Sequence, residues 1–266
     1  MARVRRAYLA CEYPRRVPQP TPNARLRFEI VYEDESVVVA NKAPGMVTEP
    51  GASHREDSLL NALVAKFGGR LLRLGERRDY GLLHRLDRQT SGCVACALTP
   101  EAYDTIRAEF EARTVDKRYL AIVRGRMKIG RERVERNLLE KRVAAAEGTR
   151  LVSIIDKAGK PAATSMEVLA ASPTHSLVAC VPETGRLHQI RVHLAYLGFP
   201  IAGDPIYTKG AALLPSTKAP EETLGLHAWT LGFSHAGKRV DATAPPSRKF
   251  IELAHACGLA HASINS

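Results

Sequence analysis

Little in this 266-residue chain speaks for covalent cross-links, redox chemistry or a membrane. Its five cysteines, Cys11, Cys93, Cys96, Cys180 and Cys257, are odd in number and scattered, which argues against a disulfide framework. Cys93 and Cys96 have the spacing of half a zinc site or of a redox pair, but no second close pair completes four ligands. Both lie in an apolar run ending at Leu98 and read as small core residues. His193 follows His188 by five positions, whereas a helical HExxH zinc motif needs i and i+4 with a glutamate between. There is no phosphate-binding GxxxxGK[ST] loop and no GxGxxG after a strand. No cofactor and no metal is therefore expected. No run of about 18 apolar residues exists, and Arg3, Arg5 and Arg6 have no apolar stretch behind them. Neither a membrane span nor a secretory signal is expected, and the expected address is the cytoplasm.

What is present is positive charge. The 39 Lys+Arg against 28 Asp+Glu give a net charge of +11, in a chain otherwise of ordinary globular composition. Residues 1–27 carry +6, residues 70–88 carry +3 and residues 113–142 carry +7, so the remainder sums to −5. Such segregation makes one basic face and points to an anionic partner such as nucleic acid. A solvated basic surface kept for solubility would give the same totals.

Residues 1–27, with four prolines and seven arginines, read as a flexible basic arm, and order is expected from near Phe28. Residues 28–266 read as one domain. Strands are expected at 30–32, 37–40, 93–98 and 119–123, around 134–139, 151–155, 164–169 and 177–181, and at 226–233. Helices are expected after an Asp57/Ser58 cap, from Thr99-Pro100 to about Arg113, from Leu187 to Leu197, and after Ser247 to Gly258. Strands outnumber helical crossovers, so the fold class is α+β: one catalytic-size domain whose central mixed sheet is mostly antiparallel and flanked by helices and loops.

Three segments carry chemistry. In His84-Arg85-Leu86-Asp87-Arg88-Gln89-Thr90-Ser91-Gly92 a carboxylate stands between two arginines in a short polar link. Neighbouring guanidinium groups would hold it ionised, and the Thr-Ser-Gly turn would aim it out of the sheet as a nucleophile or base. On those features alone a structural ion pair is the readier explanation. In Thr184–Leu194, helical spacing puts Arg191 on a stripe with Leu187, Ile190 and Leu194. A guanidinium there needs an anionic partner, for which Asp87 is the candidate. Snorkelling to water at the stripe's edge is the alternative. In Lys117–Gly125, Tyr119 sits in a basic strand, placed to stack on a base, to exchange a proton, or simply to fill a core.

Together these segments resemble the RluA-type family of pseudouridine synthases, from about Ile30 to about Ala256. The motif H-R-L-D-x-x-T-S-G stands at His84–Gly92, K-x-Y-x-A-x-V-x-G at Lys117–Gly125 and T-G-R-x-H-Q-I-R-x-H at Thr184–His193. Gly203-Asp204-Pro205-Ile206-Tyr207 and Leu226-His227-Ala228 are similar to the family's closing motifs. Asn41-Lys42-Ala43-Pro44-Gly45 departs from the usual N-K-P-x-G by a displaced proline, which bears on the local turn. Residues 1–27 are too few for the separate N-terminal RNA-binding domain of many relatives. The resemblance implies a pseudouridine synthase fold and conversion of uridine to pseudouridine in structured RNA, a ribosomal or transfer RNA stem-loop, without cofactor or metal. It implies Asp87 as the catalytic aspartate, Tyr119 packing on the flipped uracil and helping remove its C5 proton, and Arg191 pairing with Asp87. Ile190 would line the uracil pocket, and Arg85 would fill the space left by the flipped nucleotide. His84, Arg88, Lys117, Arg186 and Gln189 would give RNA contacts or local support. A monomer is expected. A non-catalytic RNA-binding factor and a carboxylate- or metal-dependent hydrolase are the competing classes.

Overall fold

The computed structural model describes residues 17–51, 53–145, 148–214 and 223–259. Glu29–Glu33 (β1) and Val37–Lys42 (β2) form a hairpin, followed by the helices Leu59–Phe67 (α1) and Gly69–Leu74 (α2). Ser58 caps α1 in a reciprocal box with Asn61: the Ser58 hydroxyl accepts from Asn61 N–H, and the Asn61 side chain accepts from Ser58 N–H. Ser91–Ala97 (β3) leads into Pro100–Ala112 (α3), capped by Thr99. The strands Asp116–Arg124 (β4), Arg131–Glu135 (β5), Leu138–Ala145 (β6), Gly148–Ile155 (β7), Ala163–Ala171 (β8) and His175–Pro182 (β9) follow. Gln189–Tyr196 (α4), Leu226–His235 (β10), Lys238–Thr243 (β11) and Arg248–Ala256 (α5) complete the order.

Nine strands make one sheet in the order β1-β2-β3-β10-β4-β9-β8-β5, with β11 extending β10, while β6 and β7 pair as a separate ribbon. Among the described residues only β3 and β10 run parallel. That junction is tight. Gly92 has φ +113°, and a Cβ there would lie 2.1 Å from the Ala228 carbonyl oxygen, so only glycine lets the two backbones approach.

Both faces of the sheet are covered, which explains the β-branched runs of its central strands. On one face α1 and α2 cover β2 and β3 with Leu59, Leu60, Leu63 and Leu71, and α4 covers β4 and β9 with Ile190 and Leu194. On the other, α3 packs Ile106 against Val37, Val39 and Phe233, and α5 packs Phe250 against Leu120 and Ile122. Tyr119 touches both clusters of the first face. It marks the seam between them.

Four features differ from the sequence expectations. Residues 17–27 lie against α1, with Val17 in the core, Asn61 Nδ2 donating to Thr21 O at 2.7 Å and Asn23 N–H donating to Asn61 O at 3.1 Å. Order therefore reaches back beyond Phe28, because an extended Pro-rich segment can satisfy its backbone through one bracketing asparagine; the first sixteen residues of the expected arm lie outside the described residues. The single strand expected around 134–139 is two, since the chain leaves the main sheet after Glu135 and Leu138 pairs with Lys160. The helix expected from Leu187 starts at Gln189, because His188 has φ +54°. Helix α2 and strand β11 had no counterpart in the sequence reading.

Candidate active site

The segment after Leu83 N–H pairs with Ala95 O swings out as a loop, and two other pieces of chain hold it. The Thr48 hydroxyl donates to Leu86 O at 2.8 Å and accepts from Leu86 N–H at 3.1 Å. The Lys42 ammonium, wholly buried at the end of β2, donates to Ala43 O, Met46 O and Arg88 O at 3.0, 2.8 and 3.1 Å. Gly45 N–H donates to Arg88 O at 2.8 Å, and Arg88 Nε donates back to Gly45 O at 3.0 Å. Thr90 N–H closes the turn on Asp87 O at 3.0 Å. Asp87 is thus fixed from both sides.

Its side chain is 27% exposed. Burial alone would raise its pKa, but His188 in its protonated form, Arg191 and Arg85 outweigh burial and hold the carboxyl below its usual range. Arg191 is the permanent charge among the closest of these, with Nη1 3.3 Å from Asp87 Oδ2. Arg191 is itself 5% exposed and is held by a second carboxylate. Its Nε and Nη2 donate to Asp204 Oδ2 and Oδ1, each at 2.8 Å, the bidentate geometry that a planar guanidinium favours. Asp204 Oδ1 also accepts from the N–H groups of Ile206 and Tyr207 at 2.8 and 3.1 Å. The arginine lies 5.2 Å from the Tyr207 ring. The Asp87 carboxylate and the Arg191 guanidinium are ionised at neutral pH.

The Lys42 ammonium is pushed down to about 7 by burial, with Asp87 opposing that shift. The Tyr119 phenol is pushed above its usual range by burial and by the charge of Asp87. Tyr119 is therefore a neutral phenol beside an anion.

The structure gathers some sequence-predicted residues and gives others separate tasks. Asp87 and Arg191 are in contact, and Ile190, buried at 6%, shares a cluster with Tyr119. Arg85 is half-exposed and pairs with Glu49 at 2.6 Å, while Arg88 is exposed and bonded to Gly45. His84 Nε2 accepts from Ala95 N–H at 3.0 Å and the ring stacks 4.9 Å from Phe110; burial, with Lys117 and Arg107, lowers its pKa to about 3. Gln189 uses its whole amide within the protein, donating to Ala163 O and Thr164 Oγ1 and accepting from the Thr184 hydroxyl and Arg186 N–H. Arg186 Nε reaches Pro161 O at 3.3 Å. Lys117 is partly buried, and burial together with Arg113 lowers its pKa. Cys93 and Cys96 are buried in the sheet, their thiols pushed up by burial. Among the described residues no group of three or more His, Cys, Asp or Glu could hold a metal, and no helix is long and apolar enough to cross a membrane.

The residue roles reasoned from sequence omitted Asp204, His188, Tyr207, Lys42 and Thr48. A signal for Asp204 was present. Asp-Pro-x-Tyr has an acid at a turn position, and a buried arginine demands a full set of acceptors.

Comparisons with known proteins show the family of the chain. The sequence profile described as RNA pseudouridylate synthase matches residues 36–196. The chain belongs to that family. A protein of Zymomonas mobilis named ribosomal large subunit pseudouridine synthase D is 35% identical over 233 residues, covering 85% of this chain and 72% of the relative. The Neisseria meningitidis protein of the same name is 34% identical, with 86% of this chain and 59% of the relative covered. Among solved structures, human RNA pseudouridylate synthase domain containing 1 superposes with a TM-score of 0.60 at 26% identity, covering 85% and 86% of the two chains. Human RNA pseudouridylate synthase domain containing 4 gives 0.66 at 24% identity over 86% and 92%, a likeness of fold. The matched 161 residues of this RluA-type pseudouridine synthase run from the start of β2 through α4, and so contain Asp87, Tyr119 and Arg191.

Proposed function

We propose that the chain isomerises a flipped uridine in structured RNA, with Asp87 as the catalytic carboxylate. The observation that carries this reading is the state of Asp87: ionised, partly open to solvent, fixed in a braced loop and held on one oxygen by a buried arginine. The names of the relatives favour ribosomal RNA of the large subunit as the substrate.

The polar contacts of the carboxylate fall on Oδ2, which leaves Oδ1 to meet the anomeric carbon of the target ribose. As Oδ1 bonds to C1′ the N1–C1′ bond breaks; the freed uracil turns, C5 attacks C1′ and releases the carboxylate, and the C5 proton leaves while N1 takes one up. Tyr119, at the seam beside Ile190, offers its ring to the extruded base. As a neutral phenol it is a poor base while Asp87 is charged. The new C1′–C5 bond makes the C5 proton acidic, and the phenol helps relay it away. Arg85, paired with Glu49, would take the space of the extruded nucleotide, a substitution that offsets an unstacking cost of a few kcal/mol. His84, Arg88, Lys117, Arg186 and Gln189 support the loop, the strand and the α4 entry, with the exposed Arg88 available to phosphate.

The test uses ribosomal RNA tritiated at uracil C5 from cells lacking the gene. Wild type releases tritium to water and Asp87→Asn does not, a loss of at least about 10³-fold. Equal release by the two proteins would sink the proposal.

A further inference from the structure

Behind Asp87 stands His188, a residue the isomerisation above does not use. Its left-handed backbone, φ +54° and ψ +19°, is a conformation that costs on the order of 1–3 kcal/mol in a non-glycine residue and persists where the surroundings enforce it. The conformation delays the start of α4 and places the ring, one-tenth exposed, between two partners. Nδ1 lies 2.8 Å from Tyr207 Oη, and Nε2 lies 3.7 Å from Asp87 Oδ2.

The hydrogen-bond chain fixes the tautomer. Ser153 N–H donates to Tyr207 Oη at 3.0 Å. The single phenol proton is then free to go to His188 Nδ1; with Nδ1 accepting, the ring proton sits on Nε2 and faces Asp87. The charged and titratable groups around the ring are Asp87, Asp204, Arg191, Arg150 and Tyr207; burial and Arg191 outweigh the two acids and bring the imidazole to about 4. Above pH 5 the ring is a neutral donor. Asp87 faces His188, Arg191, Arg85, Lys42 and Tyr119.

We propose that His188 is a positioning residue for Asp87: Ser153 and Tyr207 lock its tautomer so that a neutral Nε2–H closes on Oδ2 when RNA binds, leaving Oδ1 aimed at the ribose. At 3.7 Å the contact is open in the free protein, as catalytic hydrogen bonds often are before substrate arrives. A neutral donor suits the position. A second full cation beside Arg191 would stabilise the carboxylate so strongly as to blunt its reactivity, whereas an N–H fixes direction at little electrostatic cost. The inference rests on Asp87 being the catalytic carboxylate.

The test measures single-turnover tritium release from the same RNA against pH, with wild type, His188→Leu, His188→Gln, Tyr207→Phe and Asp87→Asn, folding being checked by thermal unfolding. His188→Leu is expected to lose roughly tenfold or more in rate with the KM for RNA little changed, and its acid limb moves to higher pH because the carboxylate has lost a donor. His188→Gln, whose amide can present an N–H near the place of Nε2, recovers much of the rate and restores the limb. Tyr207→Phe, which frees the tautomer, slows the step by several-fold. The inference is overturned if Leu and Gln lose equally, if the Leu loss lies in KM or leaves the limb in place, or if Leu behaves as wild type. Should His188→Leu not fold, a Tyr207→Phe protein with wild-type rate and limb overturns it. Asp87→Asn separates the two readings: an active Asn variant refutes the role of Asp87, while an inactive one with a wild-type His188→Leu refutes only that of His188.

Discussion

Arg191 answers to two carboxylates, and the division of labour between them is a residue-scale consequence of where each chain segment places its oxygen atoms. Asp204 takes Nε and Nη2 in a flat bidentate pair, leaving Nη1 to reach the partly open Asp87. The stripe of apolar residues raised either a buried arginine with Asp87 as its candidate partner or one snorkelling to water, and the structure shows the first. Asp204 was not foreseeable from that stripe, because its pairing depends on the turn at 204–207 folding back onto α4. Asp204→Asn keeps an acceptor for Ile206 and Tyr207 N–H but leaves a buried guanidinium with one carboxylate. Urea unfolding of that variant should show a loss of about 2–3 kcal/mol, below the full value for a buried pair because Asp87 remains. Turnover should fall with it, since Arg191 is no longer held in line with Asp87.

At the scale of elements, the site is a loop braced by the end of a neighbouring strand. Lys42 closes β2 and ties three carbonyls together, Arg88 O among them. The sequence reading saw this segment only as a strand break with a displaced proline; the bracing depends on a long-range contact between residues 42 and 88. Burial places the Lys42 pKa near 7 in the folded state, against about 10.4 in the unfolded chain. Between those values the unfolded state binds more protons, so stability attributable to this group rises with pH above 7, and the cost of burying the charge is fully present below it. Comparing chemical denaturation at pH 6.5 and 8.5, wild type should gain on the order of 1–2 kcal/mol more than Lys42→Met. A slope unchanged by the substitution would show that the ammonium carries no such cost. Helix α4 and strands β5 and β6 teach the same lesson about boundaries. Periodicity located them, but His188 in a left-handed conformation and the transfer of the chain between two sheets after Glu135 set their ends.

For the whole molecule, the basic balance acquires a geometry. The segments at 70–88 and 113–142 that carry +3 and +7 contain the Asp87 loop and β4, so positive charge flanks the seam where Tyr119 sits. Residues 1–16 hold Arg3, Arg5, Arg6, Arg15 and Arg16 against Glu12. Because Val17 is in the core, a truncation meant to test the arm should stop at residue 16. That protein should bind RNA more weakly, with a shallower dependence of log K on log salt, while single-turnover tritium release at saturating RNA stays within about twofold. An unchanged salt slope would show that the five arginines touch no phosphate.

The sequence by itself determined the fold class, most of the strands, the caps of α1, α3 and α5, and the three motifs that carry Asp87, Tyr119 and Arg191. These depend on spacing and local chemistry, which a linear chain expresses directly. Tertiary structure alone decided which side chains complete the site. Asp204, Thr48, Lys42, Tyr207 and His188 act on Asp87 or Arg191 across gaps in the chain, and whether a hydrogen bond forms across such a gap depends on ångström-scale placement by the packed sheet. The same holds for the charge. Its total is written in the composition, but which arginines stand beside Asp87 is decided by the folding of the 84–92 loop against α4.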